Sequence, residues 1–193
     1  MYAFYSCTKL KEVLFGNSIK TIGINAFSYC IGITNIILNE DLELIEYGAF
    51  SNCLGIKSIK LPDSVKKISS GVFYNCGNLS NVELNNNLEE LGWGAFVNCF
   101  SLTSIVLPNS IKIIDSSLFE GCINLKSIVL GDNVEKNFYN AFSNCVNLED
   151  IVLPNSLELI ETYAFTNCMG LKNIFIPFSV KTMESFIFLI VQI

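Results

Sequence analysis

Eight cysteines recur every 23 residues, at Cys7, Cys30, Cys53, Cys76, Cys99, Cys122, Cys145 and Cys168. A thiol in such a series can do three things: pair in a disulfide, bind zinc as a thiolate, or pack as a small hydrophobe. A disulfide needs Cβ atoms about 3.5–4.5 Å apart and aimed at one another. Copies stacked in register put equivalent side chains about 4.8 Å apart and parallel, which is too far and badly aimed. Zinc needs four ligands converging on one point, and a line of sulfurs along an axis does not converge. The spacing therefore predicts buried free thiols that mark a structural repeat, with no cofactor.

The other residues able to do chemistry are absent or patterned. All twelve basic residues are lysines, histidine is missing, and the formal net charge is -6. Histidine is the usual general base near neutral pH, and arginine forks are the usual readers of phosphate and guanine. The carboxylates fall in repeat rows, with no nucleophile–base pair and no glycine-rich phosphate loop. The expectation is a protein that is not an enzyme and has no nucleic-acid partner.

The elements that carry the cysteines follow from aligning the copies. Phe stands three residues before each Cys, from Phe4 to Phe165, and Ala precedes it in six copies, with Val72 and Leu118 in the other two. Aliphatic residues follow at three, six and eight after Cys, and Pro, Gly or Asn at nine after (Pro62, Pro108, Pro154 and Pro177 among them). The I-x-L piece alternates with period two and reads as a short strand, which Pro or Gly then ends. The A-F-x-N-C piece is too short for an independent helix and predicts a single helical or 3₁₀ turn. No unit can bury its apolar face alone, so the units must stack on one continuous core.

The period of 23 with L-x-x-I-x-L-P and A-F-x-x-C resembles the BspA-like (Treponema-type) leucine-rich repeats over residues 1–185. The resemblance implies an α/β solenoid of about eight 23-residue coils, with a parallel β-sheet on one face and short helical or 3₁₀ turns on the other. It also implies a surface protein of bacteria or protists that adheres to host matrix or cell-surface proteins. An intracellular scaffold using the same face is the alternative, since no secretory signal is visible. The chain starts mid-repeat, which points to a truncated start or a fragment of a longer array.

Stacking turns each repeat position into a row along the solenoid. The row seven after Cys should face outward from the strands, and its second half is apolar: Val106, Val129, Val152 and Phe175. Beside it, five after Cys, run Ser104, Ser127, Asp150 and Asn173. An exposed apolar stripe with a polar margin is a candidate protein-binding surface, although Val also simply suits a parallel strand. The row thirteen after Cys alternates in charge from Lys20 and Glu43 to Lys112 and Glu135, and predicts a ladder of ion pairs that supports in-register stacking.

Two irregularities break the pattern. Asn137 falls where other coils place Ile22, Ile45, Ile68 and Leu91, with Phe138 next to it, and a local bulge is expected there. The apolar segment 186–193 is either a degenerate cap coil or the beginning of a membrane segment, eight residues being too few to span a bilayer. The sequon Asn78-Leu79-Ser80 is explained by chance in so Asn-rich a chain.

Overall fold

In a computed structural model that describes residues 1–137 and 139–189, the chain winds as a parallel β-solenoid. One row of three-residue strands comprises β1 (Glu12–Leu14), β3 (Asn35–Ile37), β5 (Ser58–Lys60), β7 (Asn81–Glu83), β9 (Ser104–Val106), β11 (Ser127–Val129) and β13 (Asp150–Val152). A second row of two-residue strands comprises β2 (Thr21–Ile22), β4 (Leu44–Ile45), β6 (Lys67–Ile68), β8 (Glu90–Leu91), β10 (Ile113–Ile114), β12 (Lys136–Asn137), β14 (Leu159–Ile160) and β15 (Thr182–Met183). Every pairing is parallel and offset by one 23-residue copy, as in Ile128↔Ile105 and Ile128↔Ile151. The three-residue row therefore has seven members; residues 173–175, the eighth copy, belong to no strand.

The expected helical face is absent: the described residues form no helix, and the A-F-x-N-C pieces are turns. The reason is visible in the backbone. Asn52, Asn75, Asn98, Asn144 and Asn167 all have φ of 56–61°, and each copy carries a second left-handed residue four positions earlier, such as Gly48 or Asn140. Two left-handed residues that close together interrupt any right-handed helix, and Asn and Gly accept that conformation most easily. The amides are used between coils instead. Phe27 N–H donates to Ala49 C=O at 2.8 Å, Phe50 to Val72 at 3.0 Å and Phe73 to Ala95 at 2.9 Å. The architecture is an all-β solenoid with turns, not an α/β one.

The core is a set of ladders. The Phe rings stack from Phe4 to Phe188 with centroids 5.1–5.9 Å apart and planes within 4–11° of parallel. Beside them lie the cysteines, all free. Each thiol from Cys30 to Cys168 donates to the carbonyl of the Phe 26 residues earlier, for example Cys53 to Phe27 at 3.0 Å and Cys122 to Phe96 at 3.1 Å. Burial disfavours the thiolate and pushes Cys76, Cys122 and Cys168 up to about 12. Cys7 departs from the expectation of burial: it is exposed, because no earlier coil covers it.

The bulge expected at Asn137 is also absent. The pairing Ile114↔Asn137↔Ile160 runs through unbroken, and Asn137 C=O accepts from Glu161 N–H at 3.0 Å. The backbone ladder holds and the side chain bears the cost. Asn137 is buried, and neither of its amide atoms has a hydrogen-bond partner among the described residues. Phe138, on which the expectation also turned, lies outside the described residues.

The charge row closes as separate pairs rather than as a continuous ladder: Lys20–Glu43 at 2.8 Å, Lys66–Glu89 at 3.5 Å and Lys181–Glu158 at 2.7 Å. An ammonium that seats against one neighbouring carboxylate turns away from the other. All three pairs are exposed and contribute tenths of a kcal/mol each. At the C-terminal end, residues 186–189 continue the winding: Phe165 N–H donates to Ile187 C=O and Asn167 N–H to Leu189 C=O, both at 2.9 Å, and Ile187 is buried. The rest of the 186–193 segment lies outside the described residues. No helix among the described residues is long and apolar enough to cross a membrane.

Candidate protein-binding face

Each three-residue strand buries its central residue and exposes its ends, the pattern alternation requires. Ile105, Ile128 and Ile151 point into the core. Val106, Val129 and Val152 point out at 62 %, 57 % and 75 % exposure and sit directly opposite one another in register. The polar margin Ser104, Ser127 and Asp150 is exposed and aligned in the same way. These six residues form the contiguous surface that their spacing predicts.

The ends of the stripe differ from the expectation. Asn173 and Phe175 are exposed but do not extend the ladder. A notch of about 230 Å³, lined by Val152, Asp150, Asn173 and Phe175, lies where the eighth strand would pair with β13. A second notch, of about 390 Å³, lies on the other side of the stripe, lined by β7 and β9 residues including Ser104 and Val106. The seven-after row is also apolar at Leu14 and Ile37, both exposed. Lys60 and Glu83, paired at 3.9 Å, separate those residues from the Val stripe.

Phe178 was missed. It is fully exposed, and its ring meets Phe175 edge-on at 6.1 Å. The signal was present in the repeat. Ten after Cys, the other copies carry Asn17, Glu40, Asp63, Asn86, Asn109, Asp132 and Asn155. An aromatic at a position otherwise always polar is a departure that the core pattern does not explain. Phe175 and Phe178 together extend the apolar surface past the notch. Bulky rings of this kind supply the largest share of contact energy in interfaces.

The rest of the site's chemistry is that of a surface, not of a reaction centre. Among the described residues no cluster of Cys, Asp or Glu could hold a metal ion, and the buried thiols are held protonated. What the face offers is apolar area with hydroxyl and carboxylate groups along one edge.

The comparisons with known proteins agree with this architecture. The leucine-rich repeat protein of T. pallidum is 37 % identical, with 77 % of this chain matching 70 % of that one at a TM-score of 0.71. The pneumococcal vaccine antigen PcpA is 27 % identical, with 91 % of this chain matching 47 % of that one at 0.60. A leucine-rich repeat protein from Eubacterium ventriosum is 25 % identical, with 91 % matching 41 % at 0.59. The chain thus spans less than half the length of the latter two. A search of curated proteins finds no match. The BspA-type leucine-rich repeat region matches residues 1–122 and 92–193, in six copies. With both matches together covering its length, the chain belongs to the BspA-type leucine-rich repeat family.

Proposed function

We propose that this chain is a non-enzymatic protein-binding module of a cell-surface adhesin, and that its partner docks on the outer face of the strand row from Val106 to Phe178. The observation that carries the reading is the Val106–Val129–Val152 stripe, held in register by the ladder and left open to solvent. A monomer gains nothing from three exposed valines in a row, whereas a partner covering them gains about 1.5 kcal/mol or more for each. The similarity to a pneumococcal vaccine antigen supports a place at the cell surface. The acidic balance of the chain favours a partner with a neutral or basic face.

The test is surface plasmon resonance against a panel of purified host-matrix and cell-surface proteins, with a stripe variant as control. In V129K/V152E the new side chains sit directly opposite one another and pair, so the fold is spared. Removing two buried valines from an interface costs about 3 kcal/mol, or roughly 100-fold in affinity. A partner that binds both forms equally well refutes docking on this face.

A further inference from the structure

A second surface, on the turn side and away from the strand row, has its own pattern. Six residues before Cys, the copies read Tyr47, Ser70, Trp93, Ser116 and Tyr139. An exposed ring thus alternates with a small hydroxyl residue, and Tyr47, Trp93 and Tyr139 are all exposed. Core packing does not explain this, because the rings are outside the core and every second copy omits them. Backbone hydrogen bonds of 2.7–3.1 Å join successive coils on this side, so one position recurs about every 5 Å. Rings two coils apart therefore recur about every 10 Å, with a Ser-floored gap between.

That repeat matches one extended conformation. A polyproline II segment turns once in three residues and rises about 9.3 Å in doing so. Every third side chain of such a ligand would drop into successive gaps, first over Ser70 between Tyr47 and Trp93, then over Ser116 between Trp93 and Tyr139. The first gap belongs to a groove of about 390 Å³ whose lining includes Gly71 and Asn52 and contains no Lys, Asp or Glu. A methyl group at Gly71 would meet only Tyr74, at 3.8 Å, so the floor is open there.

The groove's polar groups are mainly donors. Tyr hydroxyls and the Trp93 indole N–H line it. An asparagine ladder delivers one more: Asn98 donates to Asn75 at 2.8 Å and Asn75 to Asn52 at 3.2 Å. Tyr29 occupies the next ladder position, and the Asn52 side-chain N–H group has no acceptor among the described residues. A proline-rich segment is the complementary ligand, since its carbonyls are unpaired acceptors and its prolines carry no N–H. A glycan would bring hydroxyl donors that need acceptors, and the groove has no carboxylate. Aromatic-lined grooves with ridges at this spacing are a general solution for proline-rich segments.

We propose that the turn-side row Tyr47–Ser70–Trp93–Ser116–Tyr139 is a binding groove for a proline-rich segment in the polyproline II conformation. The site is independent of the strand-face reading, and one experiment separates them. Trp93 is the only tryptophan in the chain and stands at the centre of the row, while decaproline has no fluorophore. Titrating the full chain with decaproline should give a saturable shift in Trp93 emission. S70Y fills the first gap with a ring and Y47A removes one ridge, and each should weaken binding at least tenfold. V129K/V152E should bind decaproline like the parent chain. All variants are checked for parental unfolding midpoints. No saturable shift with decaproline up to millimolar concentration overturns the proposal. So does S70Y and Y47A binding of parental strength, or a saturable response to cellohexaose in place of decaproline.

Discussion

Asn137 occupies a position that the solenoid has built for an aliphatic side chain. Its ladder neighbours are Ile114 and Ile160, both fully buried, and its own two amide atoms are buried without partners among the described residues. Leaving a buried polar group unsatisfied costs about 1–3 kcal/mol, and burying an isoleucine in place of an exposed one gains about 1.5–3 kcal/mol. Asn137→Ile should remove the first and supply the second. The site already accepts isoleucine in the adjoining coils, so overpacking is small. Discounting for partial overlap of the two effects, the variant should be stabilised by about 3 kcal/mol. For a chain of this length each kcal/mol is worth about 2–4 °C, so the melting midpoint should rise by about 6–12 °C. Guanidinium unfolding followed by circular dichroism reads the same change in free energy, provided that the slope of the transition is unaltered. Asn137→Asp supplies the opposite sign, because a buried carboxylate without a partner must stay protonated or unfold the coil. An Asn137→Ile variant with an unchanged or lowered midpoint would refute the reasoning. It would mean that the amide has a partner in the folded protein and contributes to its stability.

Further predictions test the core. A thiol reagent applied to the native protein should label Cys7 at once and the other seven only as fast as the protein opens; rapid labelling of several thiols would contradict their burial. Stability should fall at alkaline pH. The buried thiols are raised in the folded state, so below the unfolded value near 9 they are neutral in both states and cost nothing. Above it the unfolded chain releases protons that the folded chain retains. With Cys76, Cys122 and Cys168 at about 12, those three alone should remove about 4 kcal/mol between pH 9 and 10, at roughly 1.4 kcal/mol each. A flat denaturation midpoint across that interval would show that the thiols are not desolvated. Phe119→Ala should cost about 3–5 kcal/mol, since its ring is buried between Phe96 and Phe142 at 5.6 and 5.7 Å. A loss under 1 kcal/mol would mean that the stack is not central to the core.

The fold was legible because it is written eight times. Phe at three before Cys and aliphatic residues at three, six and eight after give both the ladder and its register, and one misplaced copy would bury a charge. The helical turns were misread for a local reason. A-F-x-N-C has residues that suit one helical turn, but whether its amides bond to the previous turn or to the next coil depends on a neighbour 22 residues away. Only the left-handed Asn at one before Cys hinted at the second choice. Asn137 was misread in the same way. Local reasoning sees a polar residue and moves the backbone, whereas hydrogen bonds to both adjacent coils fix the backbone and confine the misfit to the side chain.

The surface was legible to a lesser degree, and the reason separates two kinds of information in the chain. Residues that hold a solenoid together must repeat, because every coil meets the same neighbours. A residue that meets a partner has no such obligation, so it shows as a departure from its own row. Val106, Val129 and Val152 were found because valine replaced Lys60 and Glu83 along one row. Phe178 was overlooked because its row had been set aside as a turn, although an aromatic among seven polar copies is the sharper departure. The alternation of Tyr47, Ser70, Trp93, Ser116 and Tyr139 is subtler still, since it breaks the 23-residue period only by doubling it. A core ladder has no use for a repeat of two coils, as each ring would face a gap instead of another ring. A ligand whose own turn spans two coils does. The period of a row, as much as its composition, therefore distinguishes residues that face the next coil from residues that face something else.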